Sequence, residues 1–300
     1  MNLTSKFTGD SAYVTPRSIK SQRDEAAHPP VTLSWPRPLI RVGGISTWLL
    51  ILPGLILVGL FAVPLLALTM RAINTDFLQY MLSEQALAAL HLSLITSLIT
   101  VVITILGGTP LAYMLARWKF RSKSYLEVLI DLPIVLPPAV AGIALLIAFG
   151  QRGLLGPVLS SLHMHLPFTA AAVVIAQTFV AAPLYVRSAR IGFAAIDAQI
   201  EEAARVEGAN QWQLFIYVML PLAGRALVSG IILTWARALG EFGATMLFAG
   251  NLEGVTQTMP LAIYLGFESN LGVAIALSVM LIAFSVVVLG ITRRLEKHEN

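Results

Sequence analysis

The chain has 300 residues, of which 57% are hydrophobic and 12% are charged, and it carries a formal net charge of +4. Its mean hydropathy is +0.78. Soluble globular domains average about 25% charged residues, so this composition excludes an ordinary soluble domain. The absence of cysteine also excludes a disulfide framework and a thiolate metal site.

Six apolar stretches are long enough to cross a bilayer as helices. About 30 Å of hydrocarbon requires roughly 20 mostly apolar residues, at a rise of about 1.5 Å per residue. The stretches lie near residues 48–70, 87–116, 127–149, 168–190, 222–249 and 271–292. The sequence therefore predicts an all-α membrane protein with six transmembrane helices, in a domain that covers residues 46–293.

The two ends of the chain are polar. Residues 1–45 contain several Ser, Pro and basic residues and lack the apolar core of a cleavable signal peptide, so we expect a disordered cytoplasmic tail there. Residues 294–300 are interpreted as a short cytoplasmic tail at the other end.

The distribution of Lys and Arg predicts that both termini are cytoplasmic, because loops rich in these residues stay on that side of the membrane. Every second connection is basic. Its basic residues are Lys6, Arg17, Lys20, Arg23, Arg37, Arg41, Arg117, Lys119, Arg121, Lys123, Arg187, Arg190, Arg205, Arg225, Arg293, Arg294 and Lys297. The opposite connections hold only Arg71 and Arg152. The positive net charge is thus a topology signal, and the basic stripe with interleaved aromatic residues that is typical of nucleic-acid binding is absent.

The connection 191–221 is the one cytoplasmic loop long enough to fold on its own. Asp197 is a candidate N-cap for a helix whose first turns are acidic, as the helix dipole favours. Gly208 is a candidate C-terminal stop. A second helical stretch begins at Gln211, and Pro221 precedes the next span. The sequence therefore predicts a short helix, a turn and a second helix on the cytoplasmic face.

This loop resembles the signature of the permease subunits of ATP-binding-cassette (ABC) importers, which reads Glu-Ala-Ala, three residues, Gly, nine residues, Ile, one residue, Leu-Pro. Here Val218 replaces Ile and every spacing fits. The resemblance implies that residues near 196–213 form a coupling helix that inserts into a groove on an ATPase subunit. The implied ATPase-coupling residues are Glu201, Glu202, Ala203, Ala204, Gly208, Ala209, Val218, Leu220 and Pro221. The alternative is an ordinary amphipathic loop helix, which the seven matched positions disfavour.

Further segments resemble the molybdate and sulfate branch of these permeases. They are residues 131–138, 178–183, 238–245, 249–251 and 256–264. The resemblance covers most of residues 48–292. The segment 256–264, Thr-Gln-Thr-Met-Pro-Leu-Ala-Ile-Tyr, is closer to the molybdate members, so the implied cargo is molybdate, with tungstate as a co-substrate and sulfate or thiosulfate as the alternative.

The resemblance also implies the fold and the partners. We expect a type I ABC importer permease fold, a homodimer, two ABC ATPase subunits on the cytoplasmic side and an extracytoplasmic oxyanion-binding protein. The chain has no G-x-x-x-x-G-K-[ST] phosphate loop. ATP and Mg²⁺ are therefore expected on the partner ATPase, with no cofactor in this chain.

The fifth predicted span contains a charged pair. Arg237 and Glu241 are four residues apart, which places them on one face of a helix. Placing a lone charge inside a membrane costs roughly a few kcal/mol of free energy. The two residues therefore either neutralise each other or face a water-filled interior. One interpretation puts Arg237 on the anion path, and the other, which we favour, is an ion pair that fixes helix packing near a gate. Gly240 and Gly243 are expected to let a neighbouring helix approach closely.

The third predicted span begins with Asp131 and contains Pro133 and Pro137, which interrupt regular helix hydrogen bonding. Such a broken segment is either part of a gate or a packing kink. Together with the fifth-span residues, these three are our candidates for the pathway or gate.

The sequence proposes neither a catalytic nor a metal-binding residue. His163 and His165 lack a third ligand nearby in sequence, and no H-E-x-x-H or G-x-S-x-G motif occurs. Two other classes remain as alternatives. A secondary transporter needs deep coupling carboxylates, for which only Glu241 qualifies, and a membrane scaffold would not explain a buried Arg237 and Glu241.

Overall fold

A computed structural model describes residues 45–73 and 76–297, and all regular structure within them is helical. The expected tail 1–45 lies outside the described residues except for its last residue. The helices are α1 (Ile45–Ile73), α2 (Phe77–Met81), α3 (Glu84–Arg117), α4 (Lys123–Val135), α5 (Pro138–Phe149), α6 (Gly156–Ser161), α7 (Ala170–Ala194), α8 (Ala198–Val206), α9 (Gln211–Leu222), α10 (Gly224–Leu239), α11 (Gly243–Phe248), α12 (Met259–Ser269) and α13 (Leu271–Lys297).

Four of these helices are long and apolar enough to cross a membrane without interruption: α1, α3, α7 and α13. Two pairs, α4 with α5 and α9 with α10, pass the same test together but are bent by 118° and 71°. The described residues therefore provide six spans if each bent pair counts as one. Helix α13 continues to Lys297, through most of the segment that we expected as a C-terminal tail.

Chain contacts separate the first part of α1 from the rest, with the division after Gly59. Most of the described side chains of α1 are exposed, including large apolar ones such as Leu60 and Phe61. An apolar helix with this exposure needs lipid or another protein surface around it.

In the compact part of the chain, α7 is the central helix. It packs against α3, α10 and α4, and Pro183 lies buried inside it without breaking it. At one end, Tyr185 and Phe193 of α7 join side chains of α3, α9 and α10 in a core cluster. Towards the other end, Ala172 and Val180 pack with α5 and α11. A third cluster joins α3, α12 and α13.

The expected third span, 127–149, is broken between α4 and α5. Leu136 has an extended conformation (φ −64°, ψ 136°), as expected of a residue before proline. Pro137 lies between the helices and Pro138 begins α5, where a missing N–H costs nothing. Pro133 lies inside α4 and does not interrupt it, so of the two expected proline positions only Pro137 stands at the break.

The expected fifth span, 222–249, is not one helix. Helix α9 ends at Leu222, α10 ends at Leu239, and α11 begins at Gly243. The interruption at 240–242 includes Phe242, whose φ of −128° and ψ of −59° are not helical. A further helix, α12, follows in a stretch that we did not assign to any span. Apolar composition continued through this region, so composition alone predicted a longer helix than the backbone forms.

Candidate functional site

The loop that carries the importer signature folds as a helix, a turn and a second helix. The Asp197 carboxylate accepts a hydrogen bond from the Gln199 N–H at 2.9 Å, which caps α8. After α8, Gly208 has a φ of +88°, a conformation that glycine adopts without steric cost. Asn210 and Gln213 then exchange two side-chain-to-backbone hydrogen bonds of 2.9 Å as a capping box at the start of α9.

Helix α8 has two different faces. Glu202 and Ala203 are exposed, and Val206, one turn further along the same face, is 86% exposed. On the opposite face, Glu201 and Ala204 are partly buried against the rest of the chain. The signature residues are therefore divided between a surface that is free to meet a partner and a surface that anchors the helix.

An apolar cluster supports the anchored face. Ile196 and Ala204 pack on the core cluster that contains Tyr113 and Phe193. The Tyr113 ring makes edge contacts with Phe193 and Phe215, with centroids 5.5 and 5.0 Å apart. Packing of this kind holds a nine-residue helix that would be unstable alone, since short helices are marginal in water.

Arg117, the last residue of α3, reaches into this loop. Its Nη2 donates to the Ile196 carbonyl at 2.7 Å, and its Nε lies 2.7 Å from Glu201 Oε1. Only 16% of the Arg117 side chain and 13% of the Glu201 side chain are exposed. In the sequence alone, Arg117 is only one of the basic residues that indicate topology. Its position at the very end of an apolar stretch, where a charge lies close to the loop, was the available hint.

The remaining residues of this set lie in α9, except Ala209, which lies in the turn before it. Ala209 is half-buried, Val218 and Leu220 pack on the same core cluster, and Pro221 is exposed. Residues 214–219 are wound as a π-helix. The π-helix has wider turns than an α-helix, and such turns are frequent at functional sites. Pro221, which follows it, has no N–H to donate to a helical hydrogen bond.

The pair Arg237 and Glu241 forms, but not on one helical face. Arg237 Nη1 lies 2.6 Å from Glu241 Oε2. Because α10 ends at Leu239, Glu241 stands in the interruption between two helices, and its Oε1 accepts the Ala244 N–H of α11 at 2.9 Å. Glu241 is 1% exposed. Both of its oxygens are engaged within the chain.

The two helix breaks meet. A Cβ on Gly243 would lie 2.5 Å from Pro138 Cβ, and a Cβ on Gly142 would lie 2.9 Å from the Ala244 carbonyl oxygen. The expected close approach thus occurs at Gly243. Gly240 has no such neighbour, since a Cβ placed on it would lie 3.6 Å from the Ala236 carbonyl oxygen and closer to no other atom. Gly240 instead follows the last residue of α10.

Asp131 lies in a different place, on α4 facing α7. It lines a small cleft between α4 and α7 together with Glu127, Arg187 and Arg190, and Arg190 forms an ion pair with Glu127. The structure therefore brings Pro137, Gly240, Glu241 and Arg237 to the region of the two breaks. Asp131 and Pro133 belong to the helix that leads up to it.

His163 and His165 are exposed. Among residues 45–73 and 76–297, no three His, Asp or Glu side chains are grouped closely enough to hold a metal ion.

Known proteins share this sequence and architecture. The sequence profile of the family described as "Binding-protein-dependent transport system inner membrane component" matches residues 108–299. The Molybdenum transport system permease protein ModB of Mycobacterium tuberculosis is 41% identical over 244 residues, which is 81% of this chain and 92% of that protein. The Molybdate/tungstate transport system permease protein WtpB of Thermococcus kodakarensis is 37% identical over 198 residues, 65% of this chain and 75% of that protein.

A solved structure extends the comparison to the fold. A chain of a bacterial ABC transporter involved in the import of the acidic polysaccharide alginate matches with a TM-score of 0.63 and 17% identity, over 83% of this chain and 94% of that one.

Proposed function

Because the chain belongs to the family of inner membrane components of binding-protein-dependent transport systems, we propose that it is the membrane-spanning subunit of an ATP-driven importer of molybdate, with tungstate as a second substrate. The names of two relatives that are 41% and 37% identical support this cargo over sulfate or thiosulfate. In this proposal the chain supplies the passage and the conformational gate, and it performs no chemistry itself.

The proposal of an ATPase partner is based on the exposed face of α8. Val206 is 86% exposed on a helix whose other face is fixed to the core. An exposed apolar side chain on a rigid, capped helix is suited to insertion into a groove of another protein. Two ATPase subunits would dock on two copies of this chain, each through Glu202, Ala203 and Val206, and would bind the ATP and Mg²⁺.

The remaining partners follow from the kind of transport system. An extracytoplasmic protein that binds the oxyanion would deliver it to the side opposite α8. Two copies of the chain would enclose the passage between them, since a passage for a hydrated anion needs walls on all sides.

We assign the gate to the junction of the two helix breaks. Residues 136–137 and 240–242 interrupt their helices where α5 and α11 touch at Pro138 and Gly243. Backbone breaks are the places where rigid segments can change their relative angle. Arg237 and Glu241 stabilise one arrangement of this junction, while Asp131 and Pro133 lie on the helix that would move with it.

A secondary transporter is disfavoured by Glu241. A coupling carboxylate has to exchange a proton or a cation during transport. Glu241 is instead held by Arg237 and by the N–H of Ala244, so both of its oxygens are already engaged within the chain.

Uptake of radiolabelled molybdate by cells with and without this chain tests the function. We expect uptake to depend on the chain, and to be competed by unlabelled tungstate but not by equal sulfate. Strong competition by sulfate would assign the chain to sulfate, and uptake that persists without the chain would overturn the proposal.

The variant Glu202→Arg tests the ATPase contact. We expect it to lower uptake at least tenfold, because a reversed charge at the centre of a docking face costs several kcal/mol, roughly. The control is Glu253→Arg, which makes the same charge reversal at an exposed position outside the loop 191–221. Normal uptake by Glu202→Arg would favour a secondary transporter.

A further inference from the structure

We propose that Arg117 is a positioning residue for coupled transport, which connects the coupling helix α8 to the membrane helix α3. This inference rests on the proposed function. The chain itself joins α8 to α7 on one side and to α9 on the other. Arg117 adds a third helix to which a movement of α8 is transmitted.

The two contacts of Arg117 fix the direction of α8 as well as its place. One contact is to the Ile196 carbonyl, just before the N-cap, and the other is to Glu201 in the first turns of the helix, and both are 2.7 Å long. The contact with Ile196 is a hydrogen bond, whereas the contact with Glu201 is an ion pair that lacks hydrogen-bond geometry. The extended guanidinium makes both contacts at once, whereas a lysine ammonium acts as a single point charge. Low exposure of both side chains limits screening by salt.

Helix α3 can carry that restraint across the protein. It is continuous over 34 residues, or about 51 Å at 1.5 Å per residue. Beyond the arginine it is hydrogen-bonded to three other helices or their caps. Thr109 bonds Tyr185 of α7 at 2.6 Å, Trp235 of α10 donates to Ser97 at 3.1 Å, and the N–H of Met259 at the start of α12 donates to Ser93 at 2.7 Å.

The contact with α10 is the one that matters for transport. Trp235 lies two residues before Arg237, close to the break at 240–242. A shift of α8 that pulls on Arg117 would therefore be felt through α3 by the helix that leads to the proposed gate. This route consists of individual side-chain contacts, and each of them can be removed by a separate substitution.

The second arginine near Glu201, Arg205, provides a matched control within α8. Arg205 lies 3.9 Å from Glu201 at a spacing of four residues and is 56% exposed. Both pairs use the same carboxylate, but the pair with Arg205 stays inside α8 and does not reach α3. Arg205→Gln should therefore remove an arginine contact to Glu201 without disconnecting the two helices.

The experiment uses the complete importer, with its ATPase and binding protein, reconstituted in lipid vesicles. The measured quantity is the number of molybdate ions transported per ATP hydrolysed, for each assembled complex. We expect Arg117→Gln to lower this ratio roughly three- to tenfold, towards the lower end of the range for coupling between contacting residues, while ATP hydrolysis and ATPase binding are retained. Arg117→Lys should fall between Arg117→Gln and the wild type, and Arg205→Gln should equal the wild type.

A charge exchange separates pairing from folding. Arg117→Glu alone should uncouple transport, and the double variant Arg117→Glu with Glu201→Arg should recover part of the ratio, because an ion pair forms again between α3 and α8. The proposal is overturned if Arg117→Gln transports with the same ratio as Arg205→Gln. It is also overturned if Arg117→Gln, Arg117→Lys and Glu201→Gln all fail to assemble, since Arg117 would then serve folding.

The wild-type complex separates a failure of the proposed function from a failure of the role proposed for Arg117. If the wild type hydrolyses ATP without transporting molybdate, the proposed function fails. If the wild type is coupled and Arg117→Gln is equally coupled, only the role of Arg117 fails.

Discussion

A close arginine–glutamate pair occurs at the loop 191–221 and another at the break between α10 and α11, but the two pairs connect different elements. Arg117 and Glu201 join α3 and α8, which are far apart in sequence. Arg237 and Glu241 are four residues apart and close the gap between consecutive helices inside it, where Glu241 is 1% exposed. The first pair connects two separate elements, and the second closes the gap within one segment.

This difference predicts different consequences. Removal of a partner from a buried pair leaves an uncompensated charge, and it lowers stability strongly. Changes on the exposed face of α8, such as at Glu202, leave the protein folded, because water can solvate the altered side chain. Stability should therefore depend on the break, and coupling should depend on the loop.

The largest effect on stability is expected for Glu241→Ala. It leaves Arg237 without its carboxylate and the Ala244 N–H without its acceptor. We expect a loss of about 3 kcal/mol in the free energy of unfolding, at the lower end of the range for buried pairs because Arg237 is 34% exposed. Denaturant titration in mixed micelles measures it.

The control for that prediction is Glu241→Gln, which keeps an oxygen for the Ala244 N–H and removes the charge. It should lose less than Glu241→Ala. If both variants are as stable as the wild type, the pair does not maintain the break.

A smaller effect is expected for Gly243→Val. Its Cβ would lie 2.5 Å from Pro138 Cβ, so α5 and α11 have to separate. We expect a loss of about 2 kcal/mol, as for overpacking of a core, together with slower transport if the junction is the gate. Gly240→Ala, whose Cβ meets nothing closer than 3.6 Å, is the matched glycine variant and should remain near the wild type.

The smallest effect on stability is expected for Gly208→Val in the loop. Its φ of +88° is unfavourable for a residue with a Cβ, at a cost of about 1–2 kcal/mol, but the turn has open space around it. We expect a reduced uptake rate from a reoriented α8 and only a small shift of the unfolding midpoint. Gly224→Ala, also in open space but without a positive φ, serves for comparison. A larger loss of stability in Gly208→Val than in Glu241→Ala would contradict the division between the two regions.

The resemblance to importer permeases was confirmed by the family profile over residues 108–299, and the all-helical fold was also confirmed. The coupling loop was predictable because its signals are local. The cap at Asp197 acts over two residues, and the stop at Gly208 depends on the conformation of one. The expected fifth span, 222–249, is not a continuous helix, since apolar composition does not register that Phe242 leaves the helical conformation.

The amino-acid sequence by itself determined that the chain has apolar stretches long enough to enter a membrane, the helix–turn–helix of the loop and the family to which the chain belongs. These depend on hydropathy and on hydrogen bonds between near neighbours. Only the tertiary structure decided that Arg117 holds a carbonyl 79 positions away, that the two neighbouring glutamates of α8 face opposite sides, and that the two helix breaks meet at Pro138 and Gly243. Such contacts depend on how the helices pack, and the same residues in another packing would meet different partners.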